Sequence, residues 1–312
     1  MKKNIQDYFF LFFNLAFTLR HWLKLKIFNS PMNEIASLKY SIHKIKSQTI
    51  FKLRNNQSFS INSAKTNSFK KLGYATFSNI QIEKNCKIIL KKISKIDNPW
   101  DQENILRLRP SIEFRDELIE IFDNGVDKFI KSIFNSDYEI HYHTLYRSKR
   151  DSNDESPQGS ALWHGDGGPG IRLNLMICHT PVSIFNGAMK VIPLNLSINL
   201  LTKTFFNYRY WVKKQSKTSL KNFDRTYHRL KKCENLNKLI KSNSIKYFQP
   251  NTEKSGLIYC FNNNCVHGGG FTDKGNERIV SLMHIYPSTE LTTISEKFNS
   301  SHEKIEDNPQ KL

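Results

Sequence analysis

The tripeptide His164-Gly165-Asp166 sets an imidazole and a carboxylate two residues apart. On extended backbone, residues i and i+2 project from the same face, so the two side chains can reach one ion together. Joined by one distant histidine they form a facial triad, which leaves three adjacent coordination positions open. That arrangement suits iron(II) and oxygen chemistry. A His-x-Asp alone is a common chance occurrence, so the third ligand and its surroundings carry the argument.

His267 offers that third ligand. Gly256 precedes an apolar strand pattern over 257–261, which runs through Asn262-Asn263-Asn264-Cys265-Val266 to His267 and Gly268-Gly269-Gly270. Glycines beside a ligand let other backbone approach closely. Eleven residues further on, Arg278 opens another apolar run. A buried arginine needs an anionic partner, and its planar fork suits two-point binding of a carboxylate. A dicarboxylate with its other end on the metal would supply one.

The elements that must position these residues are strands. Alternation predicts a strand over 138–147 with Tyr138, Ile140, Tyr142, Thr144 and Tyr146 on one side, then short strands over 171–179, 188–193, 244–248, 257–261 and 278–286. Before them, 69–80 reads as a strand with Gly73, Tyr74 and Phe77. Helical spacing covers 82–96, through Ile88, Ile89, Ile93 and Ile96, and 112–134, through Ile119, Phe122, Val126, Phe129 and Ile133. Residues 30–66 read as a helix and a polar loop, the segment 201–241 as helical, and the chain from Ser300 as a polar tail. Helices followed by many short strands predict a barrel or jelly roll with helices outside. The organisation expected is a helical, basic extension (1–66), a catalytic domain (67–290) with a basic insertion (201–241) that could serve as a lid, and a tail (291–312).

On these residues the sequence resembles the phytanoyl-CoA dioxygenase family of iron(II)- and 2-oxoglutarate-dependent oxygenases, over about residues 69–287. The resemblance runs in order through Leu72-Gly73-Tyr74-Ala75, Trp163-His164-Gly165-Asp166, Asn186-Gly187-Ala188-Met189 with Val191-Ile192-Pro193, the Gly256 strand, His267 and Arg278. It implies a mainly β fold with flanking helices, a double-stranded β-helix of the jelly-roll, cupin-like kind. It implies iron(II) on His164, Asp166 and His267, and 2-oxoglutarate on Arg278, with Asn174 as a second polar group near that cosubstrate and dioxygen as the other cosubstrate. The activity implied is hydroxylation of a small-molecule substrate, with release of succinate and carbon dioxide. Halogenating relatives put a small residue where Asp166 stands, so halogenation is not expected. The chain departs from the family's Pro-Gly-Ser-His after Pro193, which is followed by Leu194-Asn195-Leu196.

Other residues fit the chemistry less well. His141 and His143 also stand at i and i+2, but no carboxylate follows at ligand spacing, and they read as side chains lining or flanking the barrel. Gly165 to Gly170 lacks the Gly-Lys-Ser/Thr ending of a phosphate loop. The five cysteines form no C-x-x-C pair, which fits a reducing compartment and a cytoplasmic location.

Charge leaves other classes open. The net charge is +19; residues 1–100 hold 18 basic and 4 acidic residues, and 201–241 hold 12 and 2. Such surfaces attract anions: an anionic substrate, nucleic acid, for which there is no specific signal, or anionic lipid. A basic nucleic-acid or anionic-membrane binding protein, or a metal-binding relative without catalysis, are therefore the alternatives to an enzyme. The apolar run 8–19 is too short to span a bilayer. As a helix it puts Asn14, Thr18 and His21 on one stripe, which fits either a helix docked on the domain or peripheral membrane contact.

Overall fold

The computed structural model of the protein describes residues 5–27, 34–55, 64–150, 161–166, 170–203, 236–242, 244–270 and 272–301. Among the described residues seven strands are formed: β1 Tyr74–Phe77, β2 Asp137–Lys149, β3 Leu173–Cys178, β4 Lys190–Val191, β5 Leu257–Asn262, β6 His267–Gly268 and β7 Glu277–Ser288. Five make an antiparallel sheet in the order β1-β5-β3-β7-β2. β4 and β6 pair as a second, small sheet. Single bridges extend it, His164 to His267 on one side and Val191 to Phe248 on the other.

Period-two alternation gives the large sheet two different faces. Leu173, Leu175 and Ile177 of β3, with Ile258, Cys260, Met283 and Ile285, face one way into the larger core. That core is closed by α4 Ile80–Ile93, α6 Arg115–Ile121 and α7 Asp127–Phe134, through Ile82, Ile89, Leu118, Phe129 and Phe134. The opposite face, with Met176, Cys178, Tyr259, Phe261 and Val280, packs against Val191 and Ala188 of the small-sheet side. Asn174 is on this second face by register, and so is Arg278, two residues before Val280. A mainly antiparallel sheet flanked by helices is what the alternation predicted.

Several expectations are corrected in detail. The segment 69–80 is not one strand: helix α3 Ala64–Leu72 ends at Gly73, whose φ of +78° and N–H bond to the Phe69 carbonyl (2.7 Å) form a left-handed helix cap before β1 begins. The helix expected over 112–134 is broken into the one-turn helix α5 Pro110–Glu113, α6, a π-turn Phe122–Val126 and α7; Asn124 and Gly125 leave helical backbone within the π-turn, Gly125 at φ +109°. The single-sided alternation of β2 fails at a bulge between Ile140 and Tyr142. The extra residue flips the faces, so Tyr138 and Ile140 share the helix-side core with Leu145, whereas Tyr146 faces the small sheet. The strand expected over 188–193 is only Lys190–Val191, and that over 244–248 only the bridge at Phe248.

Towards the N-terminus, α1 Ile5–Ile27 and α2 Glu34–Asn55 lie on the body. Leu25 of α1 is buried in a third apolar cluster with Ile192, Ile198, Leu201 and Val266. Tyr40 of α2 donates to the Ile171 carbonyl at 2.6 Å, and Gln48 to that of Phe134 at 2.7 Å. Of the segment 201–241, helix is found at 201–203 and 236–241; residues 204–235, which hold most of its basic and aromatic side chains, lie outside the described residues. So do Cys233 and the chain from 302 onward. The other four cysteines are buried free thiols.

Candidate metal centre

The pairing of His164 with His267 brings the two expected histidines onto adjacent chains. His164 N–H meets the His267 carbonyl and His267 N–H the His164 carbonyl, both at 2.8 Å. This requires two chains to run very close: a Cβ added at Gly268 would lie 3.2 Å from the Ala161 carbonyl oxygen, which accounts for the glycine after the ligand. The turn Asn262–Cys265 carries the chain from β5 to β6, closed by Cys265 N–H on the Asn262 carbonyl (2.8 Å). The His267 ring then packs tilted against that of Phe261, the centroids 4.6 Å apart.

Both imidazoles are held in one tautomer. Nδ1 of His164 donates to the Leu162 carbonyl at 2.6 Å, and Nδ1 of His267 to the Cys265 carbonyl at 2.8 Å. In a neutral ring so held, Nε2 carries the lone pair that a metal would take. Those atoms lie 3.4 Å and 3.5 Å from Oδ1 of Asp166, and one ligand atom from each of the three residues falls within 4.8 Å of the others. Adjacent ligands on an octahedral ion with bonds of about 2.1 Å stand roughly 3 Å apart, so the two Nε2–Oδ1 separations are close to those around a small divalent cation. Two neutral nitrogens and one carboxylate oxygen are the donor set of a facial iron(II) site.

The other carboxylate oxygen is already engaged. Oδ2 of Asp166 accepts from Arg172 and from the Asn174 amide, each at 2.6 Å, and Arg172 Nε donates to the Asn174 oxygen at 3.1 Å. Burial alone would raise the Asp166 pKa. The His267 and His164 rings and the Arg172 charge outweigh it and hold the carboxyl well below its usual range. Asp166 is thus anionic, with one oxygen tied down and one turned to the histidines.

Asn263 holds this loop at both ends. Its side chain accepts from Arg172 N–H (3.0 Å) and donates to the Gly170 carbonyl (3.0 Å), while its own carbonyl accepts from Asp166 N–H (3.1 Å). Arg172 and Asn263 were not singled out in the sequence. The available signal for Arg172 was an arginine two residues before Asn174, hence on the same strand face, just past the metal-binding pair. Asn174 itself is 1% exposed and contacts the Asp166 carboxylate.

Arg278 opens β7 at 3% exposure. It donates to the Gly187 carbonyl through Nη1 and to Ser148 Oγ at 3.4 Å through Nη2, and its buried Nε has no partner. Among the described residues no carboxylate pairs with it. Burial pushes the Tyr146 hydroxyl up, and the neighbouring Arg278 partly offsets this. A cavity of about 190 Å³ opens here, lined by Arg278, Tyr146, Ser148, Arg147, Lys149 and Arg150 on one side and by Ala161, Met189, Gly269 and Gly270 on the other. Ala161 lies three residues before His164 and Gly269 two after His267, so the segments bearing the metal ligands also border the cavity. Its described lining has four cations and no acid. A buried arginine that lines a cationic cavity, with no carboxylate partner among the described residues, fits a carboxylate-bearing cosubstrate.

His143 and His179 take no part in the centre. His143 is 2% exposed, its ring 5.9 Å from Phe298 on the helix side of the sheet. His179 is fully buried, with Nε2 2.9 Å from Ser281 Oγ.

No protein-family model matches the chain, and no curated protein sequence matches it. Solved structures with a similar arrangement include EctD from S. alaskensis with bound Fe (16% identity, 80% of this chain and 83% of that one, TM-score 0.48). Another is the non-heme alpha ketoglutarate dependent epimerase SnoN from nogalamycin biosynthesis (9%, 74% and 86%, 0.44). A third is AviO1 from Streptomyces viridochromogenes Tue57 (12%, 74% and 96%, 0.41). TM-scores below 0.5 at such identities carry no argument about activity. The functional reading therefore rests on the side chains of the centre.

Proposed function

We propose that the protein is an iron(II)- and 2-oxoglutarate-dependent dioxygenase on a double-stranded β-helix, which hydroxylates a small-molecule substrate. The observation that carries this reading is the convergence of His164 Nε2, His267 Nε2 and Asp166 Oδ1 beside a cationic cavity that holds a buried, partly unpaired Arg278. The five-stranded sheet opposite the small β4–β6 sheet supports the fold reading, since the ligands lie along the small-sheet side.

His164, His267 and Asp166 would hold the iron on one face, and Arg278 would bind the far carboxylate of 2-oxoglutarate. With dioxygen these groups supply the oxidising power for attack on a C–H bond and yield succinate and carbon dioxide. The protein's part is positioning. The two Nδ1–carbonyl bonds fix the imidazoles, and Arg172 with Asn174 ties down Oδ2 of Asp166, so that Oδ1 is the carboxylate oxygen that would be offered to the iron. The half-buried Tyr146 and Ser148 and the Gly187 carbonyl orient the Arg278 fork. Cations around the cavity favour an anionic substrate. The test is turnover: protein reconstituted with iron(II) without oxygen, then supplied with 2-oxoglutarate, air and a panel of metabolites. Succinate stimulated by one substrate class supports the proposal. Absence of succinate, with iron bound, rejects it.

A further inference from the structure

Helix α1 has two unlike sides. At 3.6 residues per turn, Thr18 and Leu25 share the buried side, flanked by the half-buried Phe17, His21 and Trp22. Tyr8, Phe9, Phe12, Phe13, Leu15, Leu19, Leu23 and Ile27 occupy the other side, an arc of roughly 160°, and all are more than 40% exposed, Phe12 and Ile27 at 67%. A docked surface helix normally turns polar residues outward; this one turns out aromatic and aliphatic residues along its length.

Helix α2 repeats the pattern. Ser37, Tyr40, Ser47 and Phe51 are buried against the body, whereas Leu38, Ile42, Ile45 and Leu53, at spacings of four, three and eight, are 55–74% exposed. Lys39, Lys46, Lys52 and Arg54 are exposed beside them, as is Lys26 on α1. The two helices hold only Asp7 and Glu34 as acids. No helix among the described residues is long and apolar enough to cross a membrane.

We infer that the outer faces of α1 and α2 form a docking surface for a membrane bearing anionic lipid, with the helices lying in the headgroup region. Large apolar patches on a protein surface mark interaction sites, and aromatic and leucine side chains on a basic helix are what an interfacial helix inserts. The charge decides the occupant. Paired face to face in two copies of this chain, the patch would bring lysine rows together with almost no acid to neutralise them. Phosphate-bearing headgroups neutralise the same lysines, and acyl chains take up the phenylalanines. This docking is independent of the metal centre.

The test is flotation of the full chain with phosphatidylcholine vesicles, with and without added phosphatidylglycerol, beside light scattering of the protein alone. The chain should float with the anionic vesicles, at least tenfold more than with the neutral ones, and salt should release it. Phe9→Ser, Phe12→Ser and Phe13→Ser combined should abolish flotation with an unchanged thermal melt, because these side chains make no part of the buried core. Lys39→Glu, Lys46→Glu and Lys52→Glu combined should erase the preference for anionic lipid. Failure to float with either vesicle overturns the inference. So does undiminished flotation of the phenylalanine variant, or a stable dimer in solution that this variant dissolves.

Discussion

Arg172 and Asp166 are joined by a 2.6 Å hydrogen bond on the carboxylate oxygen that faces away from the two histidines. The oxygen facing them, Oδ1, is left for a metal. The bond makes Arg172 a positioning residue: it orients a ligand without touching the ion. Partners of metal ligands typically contribute about 10- to 100-fold to affinity. Arg172→Met is therefore expected to weaken metal binding by roughly tenfold or more, read by anaerobic titration with iron(II) or with cobalt(II) as a coloured probe. Asn174 keeps its own bond to Oδ2, so the site should be loosened and not lost. Equal affinity in variant and parent would show that Asp166 needs no such partner.

Arg278 makes a separable prediction. Arg278→Leu should leave the three metal ligands and iron stoichiometry intact while raising the 2-oxoglutarate requirement steeply. Loss of one member of a buried charge pair costs on the order of 3–5 kcal/mol. Binding of 2-oxoglutarate to iron-loaded protein, followed by calorimetry, measures it directly. A variant that loses iron as well would point instead to a structural role through the Gly187 carbonyl.

Stability should fall in acid through buried histidines. Burial depresses His143 and His179 from an ordinary value near 6.5 to about 3, and neither ring nitrogen of His143 has a partner. Above the unfolded value both states are neutral and the folded state loses nothing. Below it the unfolded chain takes up protons that the folded chain refuses, so stability declines as pH drops from about 6.5 toward 3, by about 1.4 kcal/mol per pH unit for each histidine. Urea unfolding from pH 7 to 4 should show this slope, and His143→Leu should remove about one proton's share of it. An unchanged slope in that variant would mean that His143 is solvated.

The convergence of His164, Asp166 and His267 was legible because its logic is local. His164 and Asp166 needed only extended backbone, and His267 and Arg278 were each marked by neighbouring glycines or an apolar strand. The sheet strands with continuous apolar runs, β3, β5 and β7, were legible for the same reason. The bulge in β2 was not, since Tyr138, Ile140, Tyr142, Thr144 and Tyr146 read as unbroken alternation and only pairing with β7 reveals the extra residue. Nor was the break at Gly125: the apolar spacing continues across it, and backbone that leaves the helix there shows only in three dimensions. The hold of Asn263 on the loop after Asp166 depended on a tertiary approach of two segments nearly a hundred residues apart, which no local pattern encodes.

The central claim is that His164, Asp166 and His267 together bind iron(II) and leave room for 2-oxoglutarate beside it. The most direct measurement is the visible charge-transfer absorption of an iron(II)–2-oxoglutarate chelate, titrated without oxygen into the parent and into His267→Ala. The account predicts that the band saturates at one iron per chain in the parent and is absent in the folded variant. No band in the parent, or the same band at the same iron stoichiometry in His267→Ala, would contradict it.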